Sequence, residues 1–185
     1  WSSDVCSSDL SMLKRRSLLK SLTQAGVALS WPRGALPQQS VVQLPIPEWK
    51  LGEQASFLPL TRLDGTQIDW TSYRSKVLIL VFWASWCPFC ARQNPLLDRL
   101  YRRQRDRGLA MVTISLDKAP ELARQYVAKH AYEFEVGFAT APWQAVFRQR
   151  KGLPQLFVFD RAGVLRQIEV REMLDDDIEE LSRYL

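Results

Sequence analysis

Two of the three cysteines stand three residues apart, in the run Trp86-Cys87-Pro88-Phe89-Cys90. A sulfur pair at this spacing can be half of a metal cage or a dithiol that opens and closes a disulfide. A structural zinc site takes about four ligands. Beyond the pair, and Cys6 near the start of the chain, the sequence offers one histidine, His130, far off at an expected helix end. His130 reads as a surface or capping residue, and neither a metal nor another cofactor is expected. A bridge across so short a loop would restrict the unfolded chain little. Chemistry therefore explains the pair better than stapling does.

The flanking elements assign the two sulfurs different roles. Val77–Trp83 is a continuous apolar run, as suits a short central strand buried on both faces. A helix is expected from Pro88 to about Arg107, with proline in its first turn and Gly108 as its stop. Pro95 should kink it. Cys87 then falls at the helix N-terminus, where free N–H groups and the helix dipole favour a thiolate. Cys90 lies one turn deeper and less exposed. The asymmetry makes Cys87 the nucleophile that attacks a substrate disulfide, and Cys90 the thiol that resolves the mixed disulfide. Trp86 and Phe89 flank an expected exposed sulfur and are candidates for an apolar docking rim, whereas Trp83 reads as core.

Elsewhere Ala55–Leu63 and Thr66–Trp70 read as a hairpin about Asp64-Gly65. Leu109–Leu116 reads as a buried strand, followed by helices over Pro120–Lys129 and Pro142–Arg148. Leu156–Asp160 and Val164–Val170 form a second hairpin about Arg161-Ala162-Gly163. A final amphipathic helix covers Leu174–Tyr184, with Asp175, Asp176 and Asp177 in its first turn, where the macrodipole favours them. This order predicts an α/β fold with a central mixed sheet, helices on both faces and an N-terminal hairpin extension.

The run Phe82-Trp83-Ala84-Ser85-Trp86-Cys87-Pro88-Phe89-Cys90, with Pro95 after it, resembles the active-site stretch of the TlpA/ResA/CcmG-like branch of thioredoxins. The likeness extends through Leu63-Asp64-Gly65, Tyr73-Arg74-Ser75-Lys76-Val77 and Gly152-Leu153-Pro154, and covers about 51–185. It implies a thioredoxin fold and thiol–disulfide oxidoreductase activity, with Cys87 and Cys90 catalytic. It also implies a cis peptide bond before Pro154, a proline packed beside the reactive pair, and a Leu153 backbone that pairs with the substrate chain. The substrate-binding set is then Trp86, Pro88, Phe89, Leu153 and Pro154. The expected direction is reduction, with electrons from a membrane-embedded thiol donor and cysteine pairs of exported proteins as clients; apocytochrome c is one candidate.

The departures from that pattern concern protons and charge. Val81 stands where thioredoxins proper carry a buried Asp, and Gln93 where ResA-like members carry a Glu. Gln155 follows Pro154 where members devoted to cytochrome c maturation often have Glu, which weakens that client. The acids that would serve Cys90 are thus missing from their usual places. Arg148, Arg150 and Lys151, ahead of the proline, read as a solvated face that could also draw an acidic partner. A peroxiredoxin would want Thr where Ala84 stands, a strong oxidant would share the same motif, and a non-catalytic binding module would have no need of an exposed thiol at a helix end.

The apolar fraction of 46% and aromatic fraction of 11% are those of a globular chain. The net charge of +5 is concentrated at the start: Lys14, Arg15, Arg16, Lys20 and Arg33 face only Asp4 and Asp9 among residues 1–40. No basic stripe interleaves with aromatics downstream, so a nucleic-acid partner is not expected. Residues 1–11 precede Met12 without pattern and read as upstream sequence. Residues 12–35 have the layout of an export signal of twin-arginine type, with Ala28-Leu29-Ser30 suited to cleavage. Residues 36–50 are a proline-rich linker, and 51–185 the domain. The reading is a monomeric, periplasmic or otherwise extracytoplasmic protein.

Overall fold

The computed structural model describes residues 45–185. The expected upstream segment, the export signal and most of the linker lie outside the described residues.

Strand β1 (Val77–Trp83) occupies the centre of the sheet, and every residue of it is buried. Its side chains alternate between two cores. Val77, Ile79, Val81 and Trp83 enter one, and Leu78, Leu80 and Phe82 the other. A period of two therefore places apolar residues at every position, which is why the run has no polar face. Strand β2 (Leu109–Ser115) lies parallel to β1. Strand β4 (Gln155–Phe159) runs antiparallel on its other side, and β5 (Leu165–Val170) completes that hairpin.

Strand β3 (Glu135–Phe138) pairs parallel to β2, giving the order β3-β2-β1-β4-β5. This strand is not among the elements read from the sequence. Phe134 and Val136 are buried at alternate positions, a pattern too short to stand out before β2 is in place beside it.

Helix α1 (Pro88–Gln104) contains Pro95 and passes into a 3-10 turn over Arg105–Arg107 before Gly108, whose φ of +97° ends it. Together with α2 (Pro120–His130) and α4 (Asp175–Glu180) it covers one face. Helix α3 (Ala141–Arg148) covers the other through Trp143 and Val146. The basic face of α1 is exposed but engaged: Arg92 meets Glu172, Arg99 meets Asp175, and Arg103 meets Glu179. The final helix is shorter than expected, with a 3-10 turn over Leu181–Tyr184.

The expected N-terminal hairpin is present with a short ladder. Asp64-Gly65 makes the turn, Arg62 N–H donates to the Thr66 carbonyl at 2.7 Å, and Thr61 bridges Gln67. Trp70–Tyr73 is a 3-10 turn capped by Asp69 rather than strand. The domain also reaches further back than residue 51: Trp49 is buried and packs edge-on against Trp143, Phe157 and Phe159. Among the described residues no helix is long and apolar enough to cross a membrane.

Candidate active site

The site forms where β1 ends and α1 begins. Trp83 closes β1 with its indole buried, donating to Thr113 Oγ1 at 3.1 Å. A tight turn follows, with Cys87 N–H donating to the Ala84 carbonyl at 3.1 Å. Cys87 has extended backbone angles and is the N-cap of α1, and Pro88 opens the helix. The Cys87 sulfur accepts the Cys90 backbone N–H at 3.4 Å, a bond of the kind that Ser or Asp makes at other helix starts.

Both cysteines are free thiols, and both are buried: Cys87 is 4% exposed and Cys90 0%. This corrects the expectation of an exposed Cys87. The residues on either side of it are the exposed ones, Trp86 at 64% and Phe89 at 48%, with Pro88 also at the surface. Indole and phenyl stand up beside the sulfur while the N-cap bond keeps the sulfur turned toward the helix. Burial first, and its neighbour Cys87 second, push the Cys90 thiol well above the ordinary range. Cys90 therefore stays protonated at neutral pH.

The proline loop arrives from the other side of β1. Phe82 pairs with Gln155 in the β1–β4 register, which brings Pro154 beside the end of β1. The Leu153–Pro154 bond is cis, Pro154 is buried, and Leu153 is half-buried against the same core that holds both cysteines. The predicted site residues thus converge on one end of the sheet.

Asp117 completes the site without having been singled out in the sequence, whereas Gln155 and Gln93, read there as departures from the family pattern, take structural roles. Asp117 is buried below the cysteine turn. It accepts from the Ser85 N–H at 3.1 Å, the Ser85 hydroxyl at 2.7 Å and the Ser115 hydroxyl at 2.8 Å. A Ser-x-Asp triplet closing a buried strand was the available signal. Gln155 is fully buried, and its amide donates to the carbonyls of Phe147, Arg150 and Gly152 at 3.0–3.1 Å, gathering the loop that leads into Pro154. Gln93, also fully buried, accepts the Met173 N–H at 2.7 Å and so ties α1 to the segment after β5.

The expected solvated face before the proline holds only in part. Arg148 and Lys151 are exposed, but Arg150 turns inward. Its guanidinium donates to the Trp49 carbonyl at 2.7 Å and lies 5.2 Å from the Phe157 ring centre. Around the cysteines, Arg92 sits 5.0 Å over the Phe89 ring and makes two hydrogen bonds to Glu172, at 2.7 and 2.6 Å. His130 ends α2, exposed and stacked on Tyr132. A cleft of about 500 Å³ lined by Phe57, Trp70, Arg74 and Arg161 lies at the opposite end of β1 from the cysteines.

A thiol capping a helix start, a second thiol one turn deeper and a proline loop beside them suit disulfide exchange. The Redoxin family pattern matches residues 40–185. The thiol–disulfide oxidoreductase ResA of Geobacillus kaustophilus is 30% identical over 133 residues, spanning 70% of this chain and 74% of that one. A Chlorobium tepidum structure assigned as the thiol:disulfide interchange protein DsbE superposes with a TM-score of 0.66 at 26% identity, covering 74% of this chain and 96% of its own. A secreted Mycobacterium tuberculosis disulfide oxidoreductase shares the fold, with a TM-score of 0.60 at 21% identity over 69% of this chain and 96% of that one. The chain belongs to the Redoxin family, within the thioredoxin superfamily, and is a thiol–disulfide oxidoreductase of the ResA and DsbE kind.

Proposed function

We propose that the protein is an exported reductase of disulfides in extracytoplasmic proteins, recharged by a membrane-embedded thiol donor. The observation that carries the reading is the unequal environment of two sulfurs one helical turn apart. Cys87 caps the helix between exposed aromatics, and Cys90 is a buried neutral thiol behind it.

The chemistry runs in two exchanges. The Cys87 thiolate attacks one sulfur of the client disulfide, and the other client sulfur leaves as a thiolate. Cys90 then gives up its proton and attacks the Cys87 sulfur. The second client thiolate leaves, and a Cys87–Cys90 disulfide remains. Two electrons from a donor dithiol restore the starting state.

The direction is the one that the TlpA/ResA/CcmG-like resemblance implies, and the sulfur whose thiolate would set it is Cys87 at the helix start. Export is supported by the basic-then-apolar layout of residues 12–35 and by the secreted Mycobacterium tuberculosis relative.

Equilibration of residues 41–185 with glutathione measures the potential of the pair. A value near that of thioredoxin, roughly −270 mV, is the expected result. A value near that of DsbA, roughly −120 mV, makes the protein an oxidant and overturns the direction.

A further inference from the structure

Arg171 follows β5 directly and holds a φ of +92°. Glycine takes this conformation freely, whereas a side chain strains it. The strain is held in place at the active site. Arg171 N–H donates to the Pro154 carbonyl at 2.8 Å, one step past the Gln155–Val170 pair of the β4–β5 ladder. Its side chain starts out along Gly152: a Cβ built on that glycine would lie 3.7 Å from the Arg171 Cγ. An exposed arginine therefore springs from the Gly152-Leu153-Pro154 loop itself, with exposed Lys151 at the head of that loop.

The charge of Arg171 is also uncommitted. Most arginines of the domain are tied to a carboxylate, an amide or a carbonyl, whereas the Arg171 guanidinium has no hydrogen bond or ion pair among the described residues. The acids beside it in the chain are engaged, Glu172 by Arg92 and Glu169 by Gln167. A strained position that glycine would relieve thus carries an unpaired cation at the mouth of the site.

We propose that Arg171 is a specificity-determining residue that selects client polypeptides with an acidic side chain next to the reactive cysteine. The proposal rests on the reductase reading above. A client chain lying along Leu153 would pass beside Arg171, whose N–H holds the next carbonyl of the loop, and a carboxylate within its reach would complete the missing pair.

The test uses the reduced protein and peptides with one internal disulfide, alike except for Asp, Asn or Lys flanking the attacked cysteine. Hydroxyethyl disulfide serves as a small neutral control. The wild type should reduce the Asp peptide about fivefold faster than the Asn peptide at low salt, with the difference collapsing at about 0.5 M salt. Arg171→Gly should cut that preference below about twofold and leave the rate with hydroxyethyl disulfide unchanged, and Arg171→Glu should favour the Lys peptide. Retention of the Asp preference by Arg171→Gly overturns the proposal. So does a wild type that reduces all peptides equally while still reducing hydroxyethyl disulfide. A wild type inert toward hydroxyethyl disulfide overturns the reductase reading instead, and this one with it.

Discussion

The sulfur of Cys87 accepts the backbone N–H of Cys90 at 3.4 Å, so the two cysteines are coupled through the first turn of one helix. One sulfur satisfies a helix-start donor and the other is buried below it. The two cysteines should therefore fail in different ways when replaced.

Cys87→Ser should reduce exchange with protein disulfides to background, because a hydroxyl is a poor nucleophile toward sulfur. Cys90→Ser should still attack but not resolve. Mass spectrometry after brief incubation with a disulfide-bonded client should find the covalent adduct with Cys90→Ser and none with Cys87→Ser. Adducts on both variants would contradict the assigned order.

Burial raises the Cys90 thiol above its ordinary value near 9.0. A raised folded-state value means that the native dithiol keeps its proton where the unfolded chain has lost it. The associated stability is complete below about pH 9 and falls as pH rises toward the folded value, by up to about 1.4 kcal/mol per pH unit. Urea midpoints between about pH 8 and 10 should drop faster for the reduced wild type than for Cys90→Ala or the oxidised protein. Parallel curves for all three would remove the thiol as the cause.

Asp117 supplies the acceptors that hold Ser85 and Ser115 beneath the cysteine turn. Asp117→Ala strands these donors and should cost about 2–3 kcal/mol, with Asp117→Asn recovering part of it. Exchange with hydroxyethyl disulfide should slow severalfold in Asp117→Ala, since the Ala84–Cys87 turn loses its anchor. Denaturant unfolding and stopped-flow trapping of the thiols read the two effects separately.

Gln155 donates one amide group to three carbonyls. Gln155→Leu should destabilise by about 1–3 kcal/mol. Gln155→Glu should be worse at neutral pH, because a carboxylate aimed at carbonyl oxygens has nothing to donate. Its deficit should shrink as the pH is lowered and the acid gains a proton. A pH-independent deficit would show that the side chain has turned away from the loop.

Local pattern carried much of the outcome. The apolar run of Val77–Trp83, the proline after Cys87 and the glycine after Arg107 are short-range signals, and they placed the dithiol at a strand-to-helix junction. The spacing of Cys87 and Cys90 gave the two sulfurs different surroundings, because one helical turn separates a capping position from an interior one. The tertiary structure decided what depends on register between distant segments. Cys87 turned out buried because its sulfur bonds within the helix start while Trp86 and Phe89 take the surface. Arg150 turned inward because Trp49, from the expected linker, offers it a carbonyl. Strand β3 emerged only beside β2. Asp117, Gln155 and Arg171 gained their positions from partners 32, 8 and 17 residues away, respectively Ser85, Phe147 and Pro154. No periodicity marks such residues, because their roles are set by which chain segment the sheet brings alongside.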